Sequence, residues 1–178
     1  MRNWALYIVL AFIIVACSNS KNSIRPNGES KIVVIAAVHT PYCGGAAPSP
    51  EQERGYVSPL ANERFVIKRG SVNVESEPVV LKVVTDDEGR IEFNLPVGEY
   101  VLLNYSKGES FKQFYEQFQK PEGNSVEYGD EKCYREWYEK PELHFTVTEK
   151  NHEFAFTRNT RCFVGANPCM RYTGPLPP

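Results

Sequence analysis

Alternating apolar and polar positions run through most of the chain between residues 31 and 158. Residues 32–38 form an almost continuous apolar run, which predicts a buried first strand. Ile91, Phe93 and Leu95 alternate with polar residues, which is the period of a half-buried strand. The same reasoning, with turn residues as boundaries, predicts strands at 31–38, 64–69, 79–85, 90–95, 99–105, 142–148 and 153–158. Roughly seven short strands predict a mainly β fold, an antiparallel seven-stranded sandwich.

A helical period interrupts the strands, and it predicts a short helical insert at about residues 110–140. In the first half, aromatic residues recur at the spacing of one helix face, after Ser110 as a possible N-cap. In the second half, Asp130 can begin another helix, and Pro141 ends it. The residues that share these two faces are Phe111, Phe114, Tyr115 and Phe118, then Cys133, Tyr134, Trp137 and Tyr138.

The N-terminus has the pattern of an export signal. Arg2 precedes an apolar run over residues 4–15, and Ala16 and Cys17 follow. This resembles a bacterial lipoprotein signal peptide, with a plain secretory signal as the nearest alternative. The run is shorter than the roughly 20 residues that span a bilayer. The resemblance implies cleavage after residue 16, acyl chains such as palmitate on Cys17, and a lipidated flexible tether over residues 17–30.

The same resemblance predicts a place in the cell. A lipidated Cys17 implies a cell-envelope protein held on a membrane by its lipid anchor. In such lipoproteins, an Asp directly after the lipidated Cys favours retention at the inner membrane. Ser18 and Asn19 stand there instead, so the pattern favours the outer membrane, on its periplasmic or its outer face. The net charge of −2 offers no basic field for nucleic acid. Residues 31–178 are long enough for one domain with its own core.

Besides Cys17, the chain has four cysteines, Cys43, Cys133, Cys162 and Cys169. An even number in an exported chain predicts two disulfides, and three pairings are possible. Cys162 and Cys169 could close a small loop, or both could reach back to Cys43 and Cys133. The second arrangement is favoured, because the Cys- and Pro-rich tail has little else to hold it.

One segment resembles a known module. Residues 85–93 read TDDEGRIEF and residues 95–102 read LPVGEYVL, similar to the core of carboxypeptidase regulatory-like domains. The resemblance implies a prealbumin-like sandwich related to Cna-B and transthyretin-like modules, with Phe93 and Tyr100 between the sheets. Such modules are non-catalytic appendages, stalks or ligand platforms. The Cys43 loop and the aromatic insert are additions to that pattern.

Few residues suggest catalysis. Cys43, with His39 four positions earlier, could form a thiol nucleophile and its base, although export favours an oxidised Cys43. A transthyretin-like hydrolase is a second alternative, with His39 near the first strand and Arg171-Tyr172-Thr173-Gly174 near the end. This order departs from that family's terminal Tyr-Arg-Gly-Ser. The three histidines are scattered, which predicts no metal site.

The aromatic insert is the best candidate for a contact surface. Tryptophan and tyrosine are favoured at interfaces, so an envelope protein or a glycan is the expected partner. The alternative is that the aromatic residues only cover an open face of the sandwich. The sequence thus predicts a lipid-anchored, non-catalytic binding or structural domain with no cofactor. The candidate surface residues are Phe111, Tyr115, Trp137 and Tyr138.

Overall fold

A computed structural model describes residues 28–45, 47–118 and 125–175. A first sheet is built around one long strand, β1 (Glu29–Thr40). The other strands of this sheet are β2 (Tyr56–Pro59), β5 (Arg90–Pro96) and β9 (His152–Asn159). The predicted lipidated Cys17 and the tether up to residue 27 lie outside the described residues. β1 begins at Glu29, earlier than the predicted residue 31, and Ser30 is buried with its hydroxyl donating to the Thr148 carbonyl at 2.6 Å.

Three strands share the two edges of β1. β5 pairs antiparallel with residues 29–35, and β2 pairs antiparallel with residues 37–40. β9 runs parallel to β1 over residues 32–39. The part of β1 that pairs with β9 overlaps the parts that pair with β2 and with β5. β9 therefore occupies one edge of β1, and β2 and β5 lie one after the other along the opposite edge. The parallel pairing departs from the antiparallel prediction, since alternation along a strand does not encode its direction.

A second, fully antiparallel sheet closes the sandwich. Its order is β4 (Leu81–Val84), β3 (Arg64–Arg69), β6 (Gly98–Asn104) and β8 (Leu143–Val147). Alternate residues of both sheets meet in one core, as in sandwiches generally. Phe93 and Tyr100 are both buried there, as the sequence predicts. The core residues are Ile32, Val34, Phe65, Ile67, Ile91, Phe93, Leu95, Tyr100, Leu102, Phe145 and Val147. The mainly β sandwich is therefore confirmed.

The turn before β5 depends on a glycine. Gly89 has φ +74°, and a Cβ there would lie 2.3 Å from the Ala36 carbonyl oxygen. Asp86 organises the same turn, because its carboxylate accepts hydrogen bonds from the backbone N–H groups of Glu88 and Arg90 at 2.9 and 2.8 Å. The acidic-Gly pattern thus predicts the turn correctly.

The insert contains two of the three described helices. α1 (Pro50–Glu53) precedes β2, and α2 (Phe111–Glu116) and α3 (Glu131–Glu139) form the insert after a 3-10 turn at Tyr105–Gly108. Ser110 and Asp130 are their N-caps, as predicted. A small third sheet pairs β7 (Val126–Tyr128) with β10 (Met170–Tyr172). No helix in the described part of the chain is both long and apolar enough to span a bilayer.

Candidate functional site

A groove of about 770 Å³ lies between the insert and the sandwich. One wall is the C-terminal end of α3, with Trp137 and the C-cap residue Lys140, and another is the end of β9, with Phe156 and Arg158. A third wall is the C-terminal segment 164–170. We call this the Trp137 groove. A concave site with mixed apolar and polar walls is the usual form of a small-ligand site.

A buried lysine lies in the groove wall. Lys107, in the 3-10 turn, is 1% exposed, and its Nζ donates to the Lys140 carbonyl at 2.7 Å. Its nearest carboxylate is Glu142, with Nζ and Oε1 4.0 Å apart. Burial lowers the pKa of Lys107 to about 8, with Glu142 opposing the shift and Arg158 adding to it. The ammonium is thus held by one carbonyl, one distant carboxylate and the face of Trp137, whose ring centroid lies 5.4 Å from Nζ.

Arg158 joins the same group from β9. Its Nη1 lies 2.9 Å from Glu63 Oε1, and its Nε lies 3.3 Å from Glu142 Oε2. Asn104 also donates to Glu63, at 2.9 Å. Because Arg158 and Glu142 side chains are only 13% and 14% exposed, their attraction is less screened than that of surface pairs. This network fixes the position of the guanidinium in the wall.

One hydrogen-bond donor of the wall, Nη2 of Arg158, has no partner within the described residues. Asn167 is 7% exposed, and its Oδ1 accepts from the Cys169 N–H at 2.9 Å. Burial raises the pKa of the Tyr134 hydroxyl, and a hydrogen bond with the Asn167 side chain opposes that shift. Unpaired buried donors are rare, and a ligand or ordered water usually satisfies them.

The aromatic residues of the insert form a cluster of their own. Phe111 and Tyr138 are 7% and 2% exposed, so these two candidates cannot form a contact surface. They are buried because each packs against other rings of the insert, and the Tyr138 hydroxyl donates to the Glu109 carbonyl at 2.7 Å. Tyr115 and Trp137 remain half-buried, and only Trp137 lines the groove. The predicted surface therefore narrows to these two residues.

Two disulfides hold the C-terminal wall at both ends. Cys43 is bonded to Cys162, and Cys133 is bonded to Cys169. This is the arrangement that the sequence favours, with the tail tied back to the body. The backbone of Arg161, just before Cys162, pairs with that of Gly165. The wall is therefore fixed against the first sheet at one end and against α3 at the other.

The structure contradicts the thiol alternative. Cys43 is in a disulfide, so its sulfur is neither a thiolate nor a nucleophile. His39 is on β1, and its Nε2 donates to the Arg54 carbonyl at 2.8 Å. Arg171, from the suggested hydrolase pattern, instead pairs with Glu127 in the third sheet at 2.6 Å.

No group of three or more His, Cys, Asp or Glu side chains is placed to hold a metal ion in the described ranges. The sequence identified Trp137 as a candidate, but it did not single out Lys107, Glu142, Arg158 or Asn167. No local motif marks them, since they come from four separate segments. Their only local signal is that Arg158 ends a predicted strand beside two aromatic positions.

Comparisons with known proteins give no family. No protein-family model matches the chain, and no curated protein sequence gives a significant match. The Bacillus anthracis TIE protein is 15% identical with a TM-score of 0.33, over 72% of this chain and 16% of that one. A shaft pilin SpaA variant from Lactobacillus rhamnosus GG is 12% identical with a TM-score of 0.38, over 75% and 51%. An (S)-allantoin synthase is 16% identical with a TM-score of 0.31, over 73% and 42%.

The chain thus spans about half, or less, of the length of these solved chains. Scores this low assign neither a family nor an activity. The sandwich fold rests on the strand pairing described above.

Proposed function

We propose that this chain is a lipid-anchored cell-envelope protein whose β-sandwich domain binds a ligand in the Trp137 groove without catalysing a reaction. The observation that carries the proposal is the groove itself, a concave site whose C-terminal wall is cross-linked at both ends. A wall held this way loses little conformational freedom when a ligand binds, which favours affinity. The signal-like N-terminus supports the location.

The state of the reactive groups supports a non-catalytic role. The guanidinium of Arg158 and the carboxylates of Glu63 and Glu142 hold one another. The Cys43 sulfur is part of a disulfide. General acid–base catalysis needs a group free to take or give a proton near the substrate, and these groups are engaged in structural contacts.

The location is tested by labelling. Cells expressing the full chain, or its Cys17→Ser variant, are grown with an alkyne analogue of palmitate and then fractionated. We expect the wild type to carry the label and to partition with membranes, and the variant to lose both. Label on neither protein would overturn the lipid anchor.

The binding role is tested with the Cys17→Ser protein, which lacks the lipid anchor, by sedimentation with isolated cell envelopes before and after removal of envelope proteins by protease. We expect Trp137→Ala in this Cys17→Ser protein to abolish co-sedimentation. The control is Tyr56→Ala, which removes a 58% exposed aromatic residue on β2 and should bind like the wild type. Equal binding of both variants would exclude the groove as the site. Thermal unfolding of each variant separates loss of binding from loss of fold.

A further inference from the structure

The Trp137 groove has more hydrogen-bond donors than acceptors in its deep wall. The Lys107 ammonium has three N–H donors, and its one hydrogen bond within the described residues goes to the Lys140 carbonyl. Nη2 of Arg158 adds a further unpaired donor in the same wall. A ligand that completes this wall must therefore supply acceptor oxygens.

The wall also places two cations beside the groove. Lys107 and Arg158 both lie near Glu142, and Arg158 pairs with Glu63 as well. Glu63 is engaged by Arg158 and Asn104. At the rim, Glu136 lies 4.0 Å from Lys132, and Lys140 adds another positive charge. Glu63 and Glu142 balance the two cations, but Arg158 still lowers the pKa of Lys107, so an anion beside the Lys107 ammonium would oppose that shift.

The other lining side chains suit a polyhydroxylated ring. Trp137 is half-buried, with the Lys107 Nζ 5.4 Å from its ring centroid, and Phe118 and Phe156 are further aromatic residues of the lining. The C–H face of a sugar ring stacks on such an aromatic surface. Asn104, Ser106 and Asn159 also line the groove, and they can donate to and accept from hydroxyl groups.

We propose that the Trp137 groove binds a carboxylated saccharide, with the carboxylate beside Lys107 and Arg158 and a sugar ring against Trp137. This inference rests on the proposed function, because it names the ligand class of the same site. It goes beyond that function, because it requires the ligand to carry both a carboxylate and a sugar ring.

The test uses the fluorescence of Trp137. Of the chain's two tryptophans, Trp4 lies in the signal segment that is expected to be removed, so the protein processed at residue 17 has Trp137 as its only reporter. It is titrated with trigalacturonic acid, with the methyl ester of that trisaccharide, and with a trimer of glutamic acid. We expect a saturable change with the acid at a Kd below about 1 mM, and at least about tenfold weaker binding of the ester. The glutamate trimer should cause no saturable change.

A matched pair of charge reversals tests the position of the carboxylate. Lys140→Glu places a negative charge at the groove rim, and Lys132→Glu makes the same change on α3 outside the lining. We expect Lys140→Glu to weaken binding about fivefold or more, and Lys132→Glu less than twofold. Both lysines are exposed, so both variants should fold.

Three results would overturn the inference: no response to the acid, equal binding of acid and ester, or equal effects of the two reversals. Saturable binding of the glutamate trimer would assign an acidic peptide instead. None of these results removes the proposed function, which depends on the separate loss of envelope binding in Trp137→Ala.

Discussion

Asn73 joins parts of the chain that are far apart in sequence. It is 2% exposed, and its Nδ2 donates to the carbonyls of Lys107 and Tyr138 at 3.0 and 3.1 Å. Its backbone N–H donates to the Glu139 carbonyl at 2.9 Å. This single side chain therefore attaches the loop after β3 both to the 3-10 turn and to the end of α3.

We expect Asn73→Ala to lower the free energy of unfolding by about 2–4 kcal/mol, because two buried carbonyls lose their donor. Urea unfolding monitored by circular dichroism measures the difference. Asn94→Ala, on the exposed side of β5, is the matched control and should change stability by less than about 0.5 kcal/mol. A similarly small effect at both positions would show that the Asn73 contacts do not stabilise the insert.

Lys107 gives stability a distinct pH dependence. Its pKa in the folded protein is lowered to about 8 by burial, whereas an unfolded lysine titrates near 10.4. Between these values the unfolded chain binds more protons, so this group makes the free energy of unfolding rise with pH. Glu142, Arg158 and Lys140 are the charged groups that act on it.

We therefore expect the wild type to gain stability relative to Lys107→Met as the pH is raised from about 7.5 to about 9.5. Urea unfolding of both proteins across this range measures the difference. Burial also lowers the pKa of Lys68, but Lys68 is present in both proteins, so its contribution cancels in the difference between their free energies of unfolding. Lys112→Met, at a lysine with an 84% exposed side chain, should show no such trend. A constant difference for Lys107→Met would contradict the lowered pKa.

Sequence alone does not identify the residues that matter most in the groove. Lys107 follows a predicted strand and has no apolar or charged pattern around it that predicts burial. It becomes unusual only because folding brings it to Glu142 and Arg158, which are distant in the chain. Trp137 could be identified because large aromatic residues on one helix face are informative by themselves.

At the scale of elements, the insert is stabilised by one aromatic cluster. Phe114 is 0% exposed, and its ring centroid lies 5.1–5.3 Å from those of Phe118, Trp137 and Tyr138. We expect Phe114→Ala to destabilise the protein by about 3–5 kcal/mol, because a large cavity opens between α2 and α3. Chemical unfolding measures the change.

The control for Phe114 is the same substitution at an exposed ring. Phe163→Ala removes a phenylalanine that is 47% exposed, and it should cost less than about 1 kcal/mol. Comparable losses at the two positions would mean that the aromatic cluster contributes no more than a surface ring.

The longer elements could be predicted from their periodicity, and the shortest could not. All seven predicted strands and both predicted helices occur, because each has several apolar residues at a regular spacing. The sequence does not predict β2, since Gly55 and Pro59 favour a loop there and all four of its residues are exposed. β7 and β10 have three residues each, which is too short to show alternation. Only their pairing across the insert makes them strands.

At the scale of the whole molecule, the two disulfides join the C-terminal wall to the rest of the domain. The Cys43–Cys162 bond closes a sequence separation of 119, and Cys133–Cys169 closes one of 36. In the chain-entropy description, the stabilisation grows only with the logarithm of loop length, so the two bonds should contribute about 5 and about 4 kcal/mol. Their effects on global stability are therefore expected to be similar.

Their local effects should differ. Cys133–Cys169 joins α3 to the wall beside β10, where the Gly129 N–H also donates to the Cys169 carbonyl at 2.6 Å. Removing this bond should free β7 and β10 while the Arg161–Gly165 turn stays fixed through Cys162. We expect the Cys133→Ser/Cys169→Ser variant to show faster amide hydrogen exchange in β7 and β10, and unchanged exchange in β1.

The Cys43→Ser/Cys162→Ser variant is the control, and it should speed exchange at the Arg161–Gly165 turn instead, because that bond holds the opposite end of the wall. Exchange measured by mass spectrometry, under conditions where both variants remain folded, separates the two patterns. If both variants loosened the same segments, the wall would behave as one unit. In that case the groove could not be opened from its α3 end alone, and ligand binding would be lost equally when either disulfide is removed.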